Sequence, residues 1–264
     1  MKSRLLVAAV GIPLILWLIL WAPVAALEFV IILLSGIGAW ELMRCVDAPR
    51  PWSLLVAIAA AFVLLAPSAY GQEIFVLTIM SCMIVFFTVA VVQAGTIKWH
   101  MLASSFFAVC VIPYALSAFL RLYHAGFHRA FLLLPLIFSF ASDSGAFFAG
   151  LAFGKHKLAP KVSPKKTVEG AIGGLLGNAV GGSVFALVMN HCFDQNIGYV
   201  QIAMMGVVCS AVAQLGDLSF SLIKREFGIK DYGTLFLAHG GVLDRFDSVI
   251  FVAPVLSSLM IAFL

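Results

Sequence analysis

Hydrophobic positions in this chain gather into long runs with short polar interruptions. Nine runs stand out, at about 5–21, 25–42, 53–69, 74–93, 101–121, 130–152, 168–189, 199–222 and 245–263. Each has roughly the 17–25 residues that a helix needs to cross the hydrocarbon of a bilayer. The connections between them are mostly short, which predicts an all-α fold: a polytopic bundle of about nine transmembrane helices with few or no extramembrane domains. Any chemistry must then be built at the membrane. Composition agrees, with 63% hydrophobic residues and a mean hydropathy of +1.10, against about 45–50% apolar residues in soluble domains.

Positive charge sets the expected orientation, because cytoplasmic loops carry the excess of Lys and Arg. A cytoplasmic N-terminus with nine spans places fourteen of the sixteen Lys and Arg residues inside and leaves only Arg121 and Arg129 outside. Lys2 and Arg4, followed by an apolar run and Ala22-Pro23-Val24-Ala25-Ala26, also resemble a secretory signal peptide. The run is long for a signal core and a second span follows at once, so a first transmembrane helix is the better reading. The five cysteines are dispersed without a CxxC pair, which indicates neither a zinc site nor a disulfide framework.

Residues 1–125 carry little beyond apolar helices, and residues 126–264 hold the candidate chemistry. Charged residues are 11% of the chain, yet nine of them and a histidine crowd into residues 217–247: Asp217, Lys224, Arg225, Glu226, Lys230, Asp231, His239, Asp244, Arg245 and Asp247. Ionisable groups at a membrane boundary are costly, and their usual reason is a site that handles ions or charged substrates. Asp217, Ser221, Lys224 and Arg225 share one helix face, with the carboxylate deep and the cations about 10 Å further along, toward the cytoplasmic rim. Gly240 and Gly241 permit a sharp turn and close backbone approach to a ligand. Asp244 and Asp247 then face the same way at the start of the last helix.

Two earlier stretches join them. Asp143 lies inside an apolar helix, where an intramembrane carboxylate is either a functional group or a buried brace between helices. The loop 154–170 carries five lysines, as inner loops do and as a surface facing anionic headgroups would. Within it, Ser163-Pro164 is suited to a tight turn opening a helix. Thr167 and Glu169 then fall at that helix's N-terminus, where backbone N–H groups favour phosphate; Lys165 and Lys166 lie beside it. The following span holds the GxxxG pairs Gly170/Gly174, Gly173/Gly177 and Gly177/Gly181, which predict close helix packing.

Carboxylates without His or Cys partners suit a hard cation such as Mg²⁺, usually held by one or two carboxylates and substrate phosphates. Lys and Arg serve as counter-charges to those phosphates. Together they point to phosphoryl or nucleotidyl transfer, against the plainer alternative of salt bridges fixing helix ends.

The run 221–247, SLIKREFGIKDYGTLFLAHGGVLDRFD, resembles the signature of the phosphatidate cytidylyltransferases, the CDP-diacylglycerol synthases. DSGA at 143–146, GKHKLAP at 154–160, SPKKTVEG at 163–170 and Gly216-Asp217 follow the family pattern in order. One departure stands at Leu237-Ala238, where the family has Pro-Gly before His-Gly-Gly. The resemblance implies a Mg²⁺-dependent reaction of CTP with phosphatidate, giving CDP-diacylglycerol and pyrophosphate, with a second, monovalent cation as an open question. It assigns Asp217 and Asp244 to the metal, with Asp247 and Asp143 in support. Lys165, Lys166, Lys224 and Arg225 would hold phosphates, and Ser163, Thr167, His239, Gly240 and Gly241 would complete the site. Glu169, Ser221, Lys230, Asp231 and Arg245 are further substrate-binding candidates. The expected setting is a bacterial inner membrane with the site on the cytoplasmic side, in contact with membrane lipid, with no nucleic-acid partner and with a homodimer to be tested. Two rivals are a CTP-dependent lipid kinase, which would transfer the terminal phosphoryl group instead, and a transporter of an anionic substrate, which should show repeat symmetry between halves.

Overall fold

The computed structural model describes residues 2–70, 72–235 and 240–264. His239 and the departure at Leu237-Ala238 lie outside the described residues. Helix follows helix: α1 Lys2–Leu20, α2 Val24–Cys45, α3 Arg50–Tyr70, α4 Gln72–Val92, α5 Trp99–Leu116, α6 Ala118–His124, α7 Leu134–Phe153, α8 Val168–Cys192, α9 Tyr199–Glu226 and α10 Leu243–Phe263. A short 3₁₀ segment, Arg129–Leu133, leads into α7. Among the described residues, seven helices are long and apolar enough to cross a membrane: Val24–Cys45, Phe75–Val92, Trp99–His124, Arg129–Phe153, Val168–Cys192, Tyr199–Glu226 and Leu243–Phe263. Two further apolar helices, Gly11–Leu20 and Arg50–Leu64, are shorter. All of these fall on runs predicted from the hydrophobic pattern, and the chain is an integral membrane protein of helical-bundle type.

The sequence forms helices here because in hydrocarbon every backbone N–H and C=O must find its partner within the segment. Helices end where polar or turn residues let the chain reverse. After α2, Asp47 takes a left-handed φ of 55° and Ala48 N donates back to Met43 O at 3.0 Å. Small polar side chains inside spans bond within their own turn, as Ser81 Oγ does to Leu77 O at 2.8 Å and Thr88 Oγ1 to Ile84 O at 2.7 Å. Ile84, at 68% exposure, and Val91, at 72%, belong to the lipid-facing surface of α4.

The contacts divide the chain into two units, Met1–Leu120 with Glu226–Phe246, and Arg121–Arg225 with Asp247–Leu264. In the first unit α2 packs on α3 and α5. Ser105 sits at their centre, fully buried, accepting from Trp52 Nε1 at 2.9 Å and donating to Met101 O at 2.7 Å. Trp52 packs against Phe86 in a tilted contact with ring centroids 5.4 Å apart. Ser105→Ala strands the buried indole N–H and is expected to cost about 1–3 kcal/mol. Thermal unfolding in detergent, with Trp fluorescence as the probe, measures it.

In the second unit α7 and α8 touch at backbone distance through the predicted glycines. A Cβ on Gly145 would lie 2.6 Å from Gly173 O, one on Gly170 would lie 2.7 Å from Ala146 O, and one on Gly177 would lie 3.0 Å from Ala141 O. Polar groups tie α9 to these helices: Ser142 and Ser210 share a hydrogen bond of 2.8 Å, Gln214 Nε2 donates to Ala171 O at 3.0 Å, and Asn178 Nδ2 donates to Gly206 O at 3.1 Å. Gly216 on α9 meets α10 closely, since a Cβ there would be 2.9 Å from Asp247 O.

The 154–170 segment differs in one respect from its expected form. Ser163-Pro164 does not open a helix; Ser163–Thr167 is a strand (β2) paired antiparallel with Lys157–Ala159 (β1), with Lys157 opposite Thr167 and Ala159 opposite Ser163. The reversal lies just before, where Val162 N donates to Ala159 O at 3.1 Å. Pro164 is tolerated because a two-stranded hairpin has only edge strands. The helix starts four residues later than Pro164, at Val168.

Candidate active site

Thr167 caps α8. Its extended backbone (φ −124°, ψ 156°) ends the strand and its Oγ1 accepts from Gly170 N at 3.1 Å. This satisfies one of the N–H groups that a helix start leaves unpaired. Glu169, in the first turn, folds the preceding loop onto the same end. Its carboxylate accepts from Lys155 N at 3.1 Å and His156 N at 3.2 Å and lies 2.6 Å from His156 Nδ1. Glu169 therefore braces the hairpin, a task that its place in the sequence motif does not disclose. The brace fixes where Lys165 and Lys166 stand at the end of β2.

Lys166 Nζ pairs with Asp217 Oδ2, both side chains about a quarter exposed at 23% and 25%. Ser221 Oγ, one turn further along α9, donates to Asp217 Oδ1 at 3.4 Å, as the shared face requires. Asp143 on α7 lies within electrostatic reach of Asp217 and Lys166. Asp247 on α10 lies within reach of Asp217, Lys224 and Asp143, and its Oδ1 accepts its neighbour's N–H, Ser248 N, at 2.7 Å. Arg225 Nε reaches Val162 O at 3.4 Å, tying the end of α9 to the hairpin turn. Five groups separated by up to about a hundred residues in sequence thus converge: Asp143, Lys166, Asp217, Lys224 and Asp247.

A cavity of about 360 Å³ opens beside them. Asp143, Lys165, Lys166 and Gln214 supply its polar lining, and Phe147 and Leu151 supply apolar wall. Phe147 and Leu151 are also outward-facing on α7. A cavity lined by both charged groups and apolar wall suits a molecule with an anionic head and hydrocarbon chains.

The remaining predicted residues lie in the first unit. Asp244 Oδ2 accepts from Tyr232 N at 2.8 Å and Gly241 N at 2.9 Å, holding both against the start of α10. Gly240 takes a left-handed φ of 82°, which a residue with a Cβ would adopt only under strain. Lys230, Asp231 and Arg245 are exposed. Sequence reasoning passed over one residue in this region: Glu41 of α2, whose carboxylate accepts from Val242 N and Leu243 N at 2.9 Å each. Its signal was present, a carboxylate inside the apolar run 25–42, and such groups are functional candidates by default.

The donor chemistry fits magnesium. Asp143, Asp217 and Asp247 offer oxygen only, as a hard cation requires. Among the described residues no three His, Cys, Asp or Glu side chains are grouped as a ready-made metal cage.

Fold and site define the class: a helical membrane protein with a carboxylate and two lysines lining a largely apolar cavity. The comparison with known proteins is specific: the chain belongs to the cytidylyltransferase family, which it matches over residues 2–263. It is 41% identical over 138 residues to a phosphatidate cytidylyltransferase of Haemophilus influenzae, a stretch covering 51% of this chain and 47% of that protein. Against the phosphatidate cytidylyltransferase of Staphylococcus saprophyticus it is 35% identical over 158 residues, 59% of this chain and 58% of the relative. With these two, the matched stretch spans about half of the relative's length. With the phosphatidate cytidylyltransferase of Bacillus subtilis it is 31% identical over 282 residues, covering 100% of this chain and 98% of the relative.

Proposed function

We propose that this chain transfers the cytidylyl group of CTP to phosphatidate, forming CDP-diacylglycerol and releasing pyrophosphate. The observation that carries the reading is the cavity at which Lys165, Lys166 and Asp143 meet the apolar wall of Phe147 and Leu151. A phosphate head held by the lysines leaves its acyl chains along that wall and out toward lipid. The lipid phosphate is already an anionic nucleophile. One of its oxygens bonds to the α-phosphorus of CTP, the α–β anhydride bond breaks, and pyrophosphate leaves with the bonding electrons. No activated Ser or Cys is needed. The barrier is the approach of two polyanions, lowered by cations fixed in place beforehand.

Asp217, with Asp143 or Asp247 beside it, would hold Mg²⁺, which when bound would neutralise the charge of the triphosphate oxygens. Lys166, which pairs with Asp217, would turn its ammonium to an entering lipid phosphate and leave the Asp217 carboxylate available to a cation. Lys224 and Arg225, at the end of α9, present positive charge to the departing pyrophosphate. The distribution of Lys and Arg supports a site on the cytoplasmic face, and the bacterial relatives support the inner membrane as its location.

Purified protein given phosphatidate, Mg²⁺ and CTP labelled at the α-phosphate should move label into lipid and release pyrophosphate. Label reaching lipid only from the γ-phosphate would indicate a kinase instead, and flux of an anion across liposomes without turnover would indicate transport. Within that assay, Lys166→Met should raise KM for phosphatidate by about tenfold or more, the worth of one charge-assisted phosphate contact, while the variant elutes and melts as the parent does. A KM unchanged within experimental error would remove Lys166 from the lipid-phosphate role.

A further inference from the structure

Glu41 is 4% exposed on α2, with Arg44 one turn along the same helix within electrostatic reach. Its two oxygens are used separately: Oε1 accepts Val242 N and Oε2 accepts Leu243 N, each at 2.9 Å. These are N–H groups at the very start of α10, where a helix presents donors and a partial positive charge. Two glycines leave room for the carboxylate. A Cβ on Gly233 or on Gly241 would overlap Glu41 Oε1, and Gly38 brings α2 close enough that a Cβ there would lie 3.2 Å from Leu243 Cδ2. Asp244 works from the other side, its Oδ2 accepting Tyr232 N and Gly241 N. The backbone from Tyr232 and from Gly240 to Asp244 is therefore folded around two carboxylates, one of them supplied from about two hundred residues away.

A buried carboxylate is costly unless its oxygens are bonded, so this one is retained for what it holds. We propose that Glu41 is a positioning residue for cytidylyl transfer: it fixes the start of α10 and, through it, the Gly240-Gly241 backbone and the Asp244 carboxylate in their working geometry. The inference rests on the proposed cytidylyltransferase activity. Glu41 touches no reacting atom and acts through the segment it clamps. Misplacement of a catalytic group by about 1 Å can cost about 10²-fold in rate, and that is the scale expected here.

The test combines Glu41→Ala, Gly233→Ala and the double variant of the full chain in detergent, with kcat and KM for CTP and phosphatidate measured beside the wild type. Amide exchange of peptides covering Val242 and Leu243 is followed in parallel. Glu41→Ala is expected to lower kcat by about 10²-fold with both KM values little changed, and to speed exchange at Val242 and Leu243. Gly233→Ala pushes on the Glu41 carboxylate without removing it and should lower kcat in the same sense. Once Glu41 is Ala, the second substitution should add almost nothing, because the two act on one contact. The idea is overturned by a Glu41→Ala protein with wild-type kcat per folded molecule, or by losses that multiply in the double variant. A wild type that makes no CDP-lipid would instead overturn the proposed function, and unchanged exchange at Val242 and Leu243 would overturn the clamp independently of any turnover.

Discussion

Asp217→Asn, assayed for transfer of α-labelled cytidylyl to phosphatidate, is expected to lose about 10²–10³-fold in kcat, the usual worth of one fixed group that meets charge at a reaction centre. The substitution keeps size and shape. Its amide oxygen still accepts from Ser221 Oγ, which lies 3.4 Å from the present carboxylate, so the helix face is undisturbed. What disappears is the negative charge that pairs with Lys166 and that influences both Asp143 and Asp247. A cation held at Asp217 would lose a ligand, so raising Mg²⁺ should recover part of the activity. The contrast is Asp194→Asn in the connection between α8 and α9, an exposed site where the effect should stay within about twofold. Near-normal turnover in Asp217→Asn would take this residue out of the metal and phosphate roles altogether.

The second large effect is on stability. Gly145→Val places a branched side chain where a single Cβ already comes 2.6 Å from Gly173 O, 3.2 Å from Gly173 C and 3.3 Å from Gly174 Cα. All three atoms are backbone, so no rotamer change relieves the overlap and α7 and α8 must move apart. A cost at or above about 3 kcal/mol is expected, the upper end for overpacking. Separation of these helices would also open the cavity that Asp143 on α7 and Lys166 before α8 line together, so activity should fall with stability. Gly11→Ala on α1 serves as the control. A Cβ there meets nothing within 4 Å, and the gain in helix propensity should leave the protein equal or slightly firmer. Thermal unfolding in detergent, followed by the loss of monodisperse protein, distinguishes the two. A Gly145→Val variant that melts with the parent would mean that the α7–α8 contact is looser than drawn.

Much of this architecture was legible beforehand, and for identifiable reasons. The helical segments follow from hydrophobic run length, because hydrocarbon leaves a single chain segment few other ways to satisfy its backbone. Close packing of α8 followed from glycine spacing, which is a local property of one helix; that α7 is its partner did not. Asp217, Ser221 and Lys224 were placed on one face by the helical period alone. The charged motifs carried the family resemblance. The hairpin at 157–167 was not legible, since Ser163-Pro164 suits a helix start as well as an edge strand and only pairing with Lys157–Ala159 decides between them. The work of Glu169 was half legible: its place at a helix N-terminus was foreseen, its hold on Lys155 and His156 was not, because the partner loop is fixed by the hairpin.

Glu41 marks the limit most sharply. Its bonds to Val242 and Leu243 cross about two hundred residues, and no spacing rule connects the second helix to the last. By itself the sequence determined what depends on neighbours along the chain: helix positions, membrane setting, shared faces and the chemical type of the site. The tertiary structure alone decided which of the scattered carboxylates and lysines meet, that Lys166 pairs with Asp217, and that Glu41 and Asp244 fold the glycine segment between them. Hydrophobicity and helical period act locally and can be read in order, whereas the partner of a buried charge is fixed only when the helices have packed.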